Sequence, residues 1–146
     1  MHPDFKDLLS GFNAHGVEYL VVGAHALAAH GHVRATKDLD LWIRPSAENA
    51  TRTHGALAAF GAPVGELTVE DLTTPGLVFQ IGIEPVRVDV INEIDGVEFE
   101  DAWPARVEVD LDGLVVGVLS RRHLIENKRA SGRLQDLADI ERLEQL

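Results

Sequence analysis

The 146 residues contain no cysteine, which excludes a disulfide framework and any zinc-thiolate centre. Basic residues are scarce: 13 Lys and Arg stand against 24 Asp and Glu, for a formal net charge of -11. A broad, sequence-independent grip on DNA or RNA depends on Lys/Arg contacts to phosphate, so this balance speaks against one. It does not speak against a nucleotide site, because local cations or a metal ion reverse the potential in a single cleft. Charge interrupts every apolar run well short of a membrane span. The opening Met1-His2-Pro3-Asp4 lacks the basic and apolar regions of a secretion signal, so a cytoplasmic protein without a membrane partner is expected. Repeats, low-complexity tracts and linkers are also missing. There is no H-E-x-x-H pattern, and His25, His30 and His32 lack carboxylate partners at ligand spacing; they read as helix-end or loop residues.

What is present suits one compact domain. Hydrophobic residues make up 45% and charged residues 25%, ordinary values for a globular protein long enough to bury a core without staples. Phe5, Leu8, Leu9 and Phe12 recur at helical spacing before Gly16. Tyr19 to Val22 reads as a buried strand, and the alanine-rich stretch from Ala24 to His30 as a helix closed by Gly31. Leu39, Leu41 and Ile43 alternate with Asp38, Asp40 and Trp42 at strand period. Ser46 offers an N-cap for a helix through Phe60. The stretch from Gly61 to Pro75 reads as a loop with a short helical turn. Strands are expected over Leu77 to Ile83 and Val86 to Ile91, meeting at Glu84-Pro85. Asp112-Gly113 between two apolar runs signals a hairpin. Ser120 caps a further helix, and Leu134, Leu137, Ile140 and Leu143 form a last amphipathic stripe. The fold class is α/β (α+β): a mixed sheet with helices packed on it, one domain over 1–146, with its core at 17–92 and a helical region at 120–146.

The chemistry concentrates in the aspartates. On a strand Asp38 and Asp40 project to the same side, away from Leu39, Leu41 and Ile43. Buried carboxylates so close repel one another, and a bound cation is the natural compensation; hard Mg²⁺ favours such oxygen ligands. Val86-Arg87-Val88-Asp89-Val90-Ile91 supplies another acid inside an apolar strand pattern, where Asp is disfavoured. An Asp-x-Asp pair alone is a weak sign: Asp110-Leu111-Asp112 has the same form and is turn chemistry, as is Asp95-Gly96. The preceding Val22-Gly23-Ala24-His25 is different. It is a strand ending in glycine with a helix directly after, where backbone N-H groups can seat phosphate.

Gly23-Ala24, thirteen residues, Asp38-Leu39-Asp40-Leu41 and a later Asp89 together resemble the nucleotidyltransferase superfamily related to DNA polymerase beta. The nearer likeness is to small bacterial proteins of the minimal antitoxin and AbiE-type toxin kinds. Those toxins carry a late Lys and a late Asp, to which Lys128 and Asp136 are similar. The resemblance implies an enzyme that moves an NMP group from an NTP to an acceptor. Asp38, Asp40 and Asp89 would hold Mg²⁺ or Mn²⁺, with Asp89 also serving the acceptor hydroxyl. Gly23 and Ala24 would offer backbone N-H groups to the β- and γ-phosphates. Ala24 stands where the family has Gly or Ser, so a serine hydroxyl contact is absent.

Arg34, Thr36 and Lys37, just before the aspartates, are placed to meet phosphate charge or to form a solvated loop. Lys128 and Asp136, with Arg129 and Arg133 nearby, read on their own as a surface salt-bridge face. Trp42 and Trp103 read as packing residues. The acceptor that the resemblance implies would be a protein, an RNA end or a small molecule, with RNA the least favoured because of the acidity. A toxin-antitoxin setting follows from the resemblance alone, a partner protein could complete acceptor recognition, and the oligomeric state stays open. Two other readings compete: a catalytically degenerate nucleotide-binding or partner-binding module, and a glycosyltransferase using Asp-x-Asp, for which the chain is short.

Overall fold

The computed structural model describes residues 1–33, 38–83 and 85–146. Its elements begin and end where the capping residues stand. Helix α1 (Pro3–Ala14) leads into strand β1 (Tyr19–Val22), and helix α2 (Gly23–Ala29) follows with no intervening loop. Strand β2 (Asp38–Ile43) precedes helix α3 (Ala47–Phe60). The Ser46 hydroxyl accepts from the Asn49 N-H at the start of α3, and Gly61 closes it in the left-handed conformation.

A short 3-10 turn (Asp71–Thr73) interrupts the long loop before strands β3 (Val78–Ile81) and β4 (Arg87–Ile91). Helix α4 (Phe99–Ala102), four residues without a sequence signal strong enough to foresee, comes next. The β5 (Val107–Leu111) and β6 (Leu114–Val118) hairpin turns at Asp112-Gly113, both at positive φ, and Asp110 accepts from the Gly113 N-H. Helices α5 (Arg121–Ser131) and α6 (Leu134–Gln145) pack together at the C-terminal end, with Gly132 in the left-handed conformation between them. Among the described residues no helix is long and apolar enough to cross a membrane.

The six strands form one mixed sheet in the order β3-β4-β2-β1-β6-β5. Register assigns its faces, because residues directly opposite each other share a side. Tyr19, Val21, Leu39, Leu41, Ile43, Val88 and Val90 line one face and are buried. That face belongs to the main core with Leu8, Leu9 and Phe12 of α1 and Leu57 of α3. The other face carries Asp38 and Asp40 on β2 and Arg87 and Asp89 on β4. Further along β2, Trp42 is buried edge-on against Phe99, and Trp103 stacks on the same ring. Both tryptophans are therefore packing residues.

Helix α6 departs from the stripe expected of it. Ile140 and Leu143 are buried, but Leu134 is 87% and Leu137 49% exposed. The face turned inward carries Asp136 and Asp139 instead. The helix is rotated because its acids are drawn to Lys128 on α5, which outweighs the burial of two leucines at the helix start.

Candidate active site

Parallel pairing of β2 with β4 sets Asp40 opposite Asp89 and Asp38 opposite Arg87. Three carboxylates and one guanidinium thus share a small patch of one sheet face. Arg87 donates from Nε and Nη2 to Oδ1 and Oδ2 of Asp89, at 3.0 and 2.9 Å. Its Nη1 lies 3.7 Å from Oδ2 of Asp38. Asp38 Oδ1 is buried and has no hydrogen-bond partner among the described residues. The Asp40 carboxyl is pushed up to about 6, first by burial and then by the charges of Asp89 and Asp38, while Arg87 and Lys128 oppose the shift.

Gly23 closes one side. It has φ +69, and a Cβ there would lie 2.4 Å from Oδ2 of Asp40. Only glycine lets the β1–α2 junction approach the carboxylate so closely. Ala24 sits in the first turn of α2, and His25 follows it. The His25 Nε2 is buried without a partner among the described residues, and burial lowers the ring's pKa against the opposing charge of Asp38.

Gly23, Asp40, Asn127, Lys128 and Arg133 line one cleft of about 330 Å³, together with Asp95. The late lysine therefore reaches the site. Lys128 and Asp136 are not a surface salt-bridge face: they are 6% and 1% exposed. Lys128 Nζ lies 3.3 Å from Asp136 Oδ1 and 3.1 Å from Asp139 Oδ2. Arg133 adds a bond to Asp136 at 2.7 Å. Burial alone would raise the Asp136 pKa, but the Arg133 hydrogen bond and the Lys128 charge hold it below the ordinary value. Asp136 supports the lysine from behind the cleft and does not line it.

His32 also finds an acid, since its Nε2 lies 3.4 Å from Asp139 Oδ1. The carboxylate missing from its neighbourhood in sequence arrives from α6. Arg34, Thr36 and Lys37 lie outside the described residues.

Two participants carried no assigned role in the sequence reading. Arg87 was marked by its place two residues before Asp89, which puts both on one face of β4. Asp139 was marked by its phase with Leu143, one helical turn away on α6.

A divalent cation fits this donor set. The oxygens are carboxylate, one of them is buried and unpaired, and burial followed by repulsion from Asp89 and Asp38 keeps the Asp40 pKa high. Among the described residues, however, no three His, Asp or Glu side chains are already arranged to hold a metal.

No curated protein matches the chain by sequence. Solved structures share its fold, among them the following three. A protein assigned as a nucleotidyltransferase from Thermotoga maritima has a TM-score of 0.62 and 14% identity, covering 97% of this chain and 88% of that one. The lincosamide antibiotic adenylyltransferase LnuA, solved with lincomycin bound, has a TM-score of 0.61 and 14% identity, covering 99% and 96%. An antigenic nucleotidyltransferase-like protein from Paracoccidioides brasiliensis has a TM-score of 0.56 and 15% identity, covering 93% and 71%. Residues 2–146 match the model of the family described as "Nucleotidyl transferase of unknown function (DUF2204)", and the chain belongs to that family of nucleotidyl transferases.

Proposed function

We propose that the protein transfers an NMP group from an NTP to an acceptor hydroxyl, with Asp38, Asp40 and Asp89 as the ligands of Mg²⁺ or Mn²⁺. The observation that carries this reading is the pairing of Asp40 with Asp89 across parallel strands, with Asp38 on the same face, beside a cleft that holds Gly23 and Lys128. When bound, the metal neutralises triphosphate charge and lowers the pKa of an oxygen it ligates.

The chain's own residues supply position. Gly23 keeps the backbone against Asp40, leaving the first N-H groups of α2 for the β- and γ-phosphates. Lys128, fixed by Asp136 and Asp139, lines the same cleft and would supply a counter-charge for phosphate. Asp89 would accept the acceptor's proton as the acceptor oxygen attacks the α-phosphorus, and pyrophosphate would leave on the opposite side.

The acceptor belongs to the same reading. LnuA, whose fold this chain shares, is a lincosamide adenylyltransferase, which supports a small-molecule hydroxyl. A protein side chain remains a second acceptor class, in a toxin-antitoxin setting suggested by the AbiE-type resemblance. RNA is disfavoured by the net charge of -11.

The test uses α-labelled NTPs, Mg²⁺ or Mn²⁺, and acceptor pools of small hydroxyl compounds, protein and RNA. Labelled product from wild type, reduced at least about a hundredfold in Asp38→Ala/Asp40→Ala, supports the reading. Product that persists in the double variant rejects the metal mechanism. Ala24, which has no hydroxyl, favours one rival: a nucleotide-binding module without turnover. NTP binding in calorimetry with no labelled product from any pool would establish that rival.

A further inference from the structure

Arg87 lies inside the carboxylate group. Its Cα is the register partner of Asp38, and its side chain takes both oxygens of Asp89 while approaching Asp38 at 3.7 Å. We propose that Arg87 is a built-in counter-cation: its guanidinium occupies the place between Asp38 and Asp89 that a divalent ion would take, and ion binding displaces it. This rests on the reading of the three aspartates as metal ligands.

The geometry explains why the aspartates come together without forming a ready metal site among the described residues. Two carboxylates facing one another on a partly buried sheet face repel unless a positive charge stands between them. A planar guanidinium, with five donors in a fixed fork, can engage two carboxylates at once where a lysine ammonium could not do so bidentately. While Arg87 chelates Asp89, both oxygens of that ligand are turned to the arginine.

The arrangement is also releasable. The Arg87 side chain is 31% exposed, whereas that of Asp89 is 12% exposed. Reorienting the more exposed arginine, rather than the acid, would leave the β2–β4 pairing intact. The freed guanidinium would then stand at the edge of the site, where incoming phosphate brings new negative charge.

A different role is conceivable for the same contacts. A carboxylate has about four lone-pair sites, so Arg87 could hold Asp89 in place permanently while an ion binds the remaining positions. In that case removing the arginine would weaken ion binding. The two roles predict opposite signs.

The experiment measures Mn²⁺ binding to the nucleotide-free, full-length protein by electron paramagnetic resonance. Wild type, Arg87→Gln, Arg87→Lys and Asp38→Asn/Asp40→Asn are compared. The expected result is about tenfold tighter Mn²⁺ binding by Arg87→Gln, the size of one charge-assisted bidentate pair removed. Arg87→Lys should fall between it and wild type. A second readout needs no variant: the Arg87 Nε-H resonance of wild type should shift and exchange faster with water as diamagnetic Mg²⁺ is added.

Mn²⁺ binding by Arg87→Gln no tighter than wild type overturns the proposal. So does an Arg87 resonance unmoved at saturating Mg²⁺. Failure of the underlying metal reading looks different, because Asp38→Asn/Asp40→Asn would then bind Mn²⁺ as wild type does.

Discussion

Gly23 stands so close to Asp40 that a single added Cβ would lie 2.4 Å from the carboxylate oxygen Oδ2. The contact joins the end of β1 to the strand beside it, where Val22 is the register partner of Asp40. It ties the backbone turn expected to meet phosphate to the acid expected to meet metal. Gly23→Ala tests both. The new methyl must displace Asp40, and φ +69 is strained for any L side chain. The variant should lose about 1–3 kcal/mol of stability, read from its urea midpoint. Its nucleotidyl transfer should fall further than that loss of folded protein explains. A Gly23→Ala protein as active as wild type would mean Asp40 can move freely without cost to the chemistry.

Ala24 is the position where this chain departs from the Gly or Ser of the superfamily motif that it resembles. If the cleft seats a triphosphate against the start of α2, one more donor there should strengthen it. Ala24→Ser is expected to lower the KM for NTP several-fold, the worth of a hydrogen bond of about 1 kcal/mol. Steady-state kinetics at saturating acceptor check this. An unchanged KM would place the phosphates away from this turn.

Much of this arrangement was legible in the sequence because β-strands alternate. Asp38 and Asp40 had to share a face, and the apolar pattern around them fixed which face was core. The apolar pattern put Asp89 on a strand, and only the resemblance grouped it with Asp38 and Asp40, since register between β2 and β4 depends on how the whole sheet packs. Arg87 was visible on the strand, yet its partner across the sheet was not. Helix α6 misled for a different reason. A leucine stripe normally marks the buried face, but a buried Lys128 calls for carboxylates, and the helix turns Asp136 and Asp139 inward to meet it. Hydrophobic periodicity carries no information about a charge waiting on another helix.

That buried network makes Lys128 structurally sensitive. Lys128→Met leaves Asp136 and Asp139 facing each other without their shared cation, and should cost about 3 kcal/mol. Adding Asp139→Asn in the same chain should recover part of the loss by removing one of the two facing acids' charges. Chemical denaturation of the single and double variants measures this directly. An additive double variant would show that the lysine does not hold the two acids together.

The same network sets an acid limit on stability. Burial raises the folded-state pKa of Asp136, but the hydrogen bonds and charges of Arg133 and Lys128 together bring it below its ordinary value. Such a group stabilises the fold above its ordinary value, and the contribution is lost as pH falls through that value and below it. Arg133→Gln should therefore shift the acid unfolding midpoint to higher pH, while stability near pH 7 also drops because a favourable pair is missing. Circular dichroism across pH 2 to 7 reads both effects. An acid midpoint unchanged by Arg133→Gln would remove Arg133 as the group that holds Asp136 ionised.

Asp40 has the opposite sign. Its pKa is raised from 3.8 to about 6 in the metal-free protein, so the folded state binds the proton more tightly than the unfolded chain does. This contribution is fully present below about pH 4 and disappears as pH rises through about 6. Above that range the fold carries an ionised carboxylate that is buried and further crowded by Asp89 and Asp38. Asp40→Asn removes the buried charge and the repulsion on it, and should stabilise the metal-free protein at pH 8 by roughly 1–2 kcal/mol, with little gain at pH 4. Catalysis should be lost at every pH, since the amide cannot replace the anionic ligand. Saturating Mg²⁺ should stabilise wild type at pH 8 and leave Asp40→Asn nearly unchanged, because the cation offsets the same repulsion that the substitution deletes. Thermal melts of both proteins at the two pH values, with and without Mg²⁺, decide the matter. A variant less stable than wild type at pH 8 without metal would show that Asp40 is held by favourable contacts and carries no repulsion for a cation to relieve.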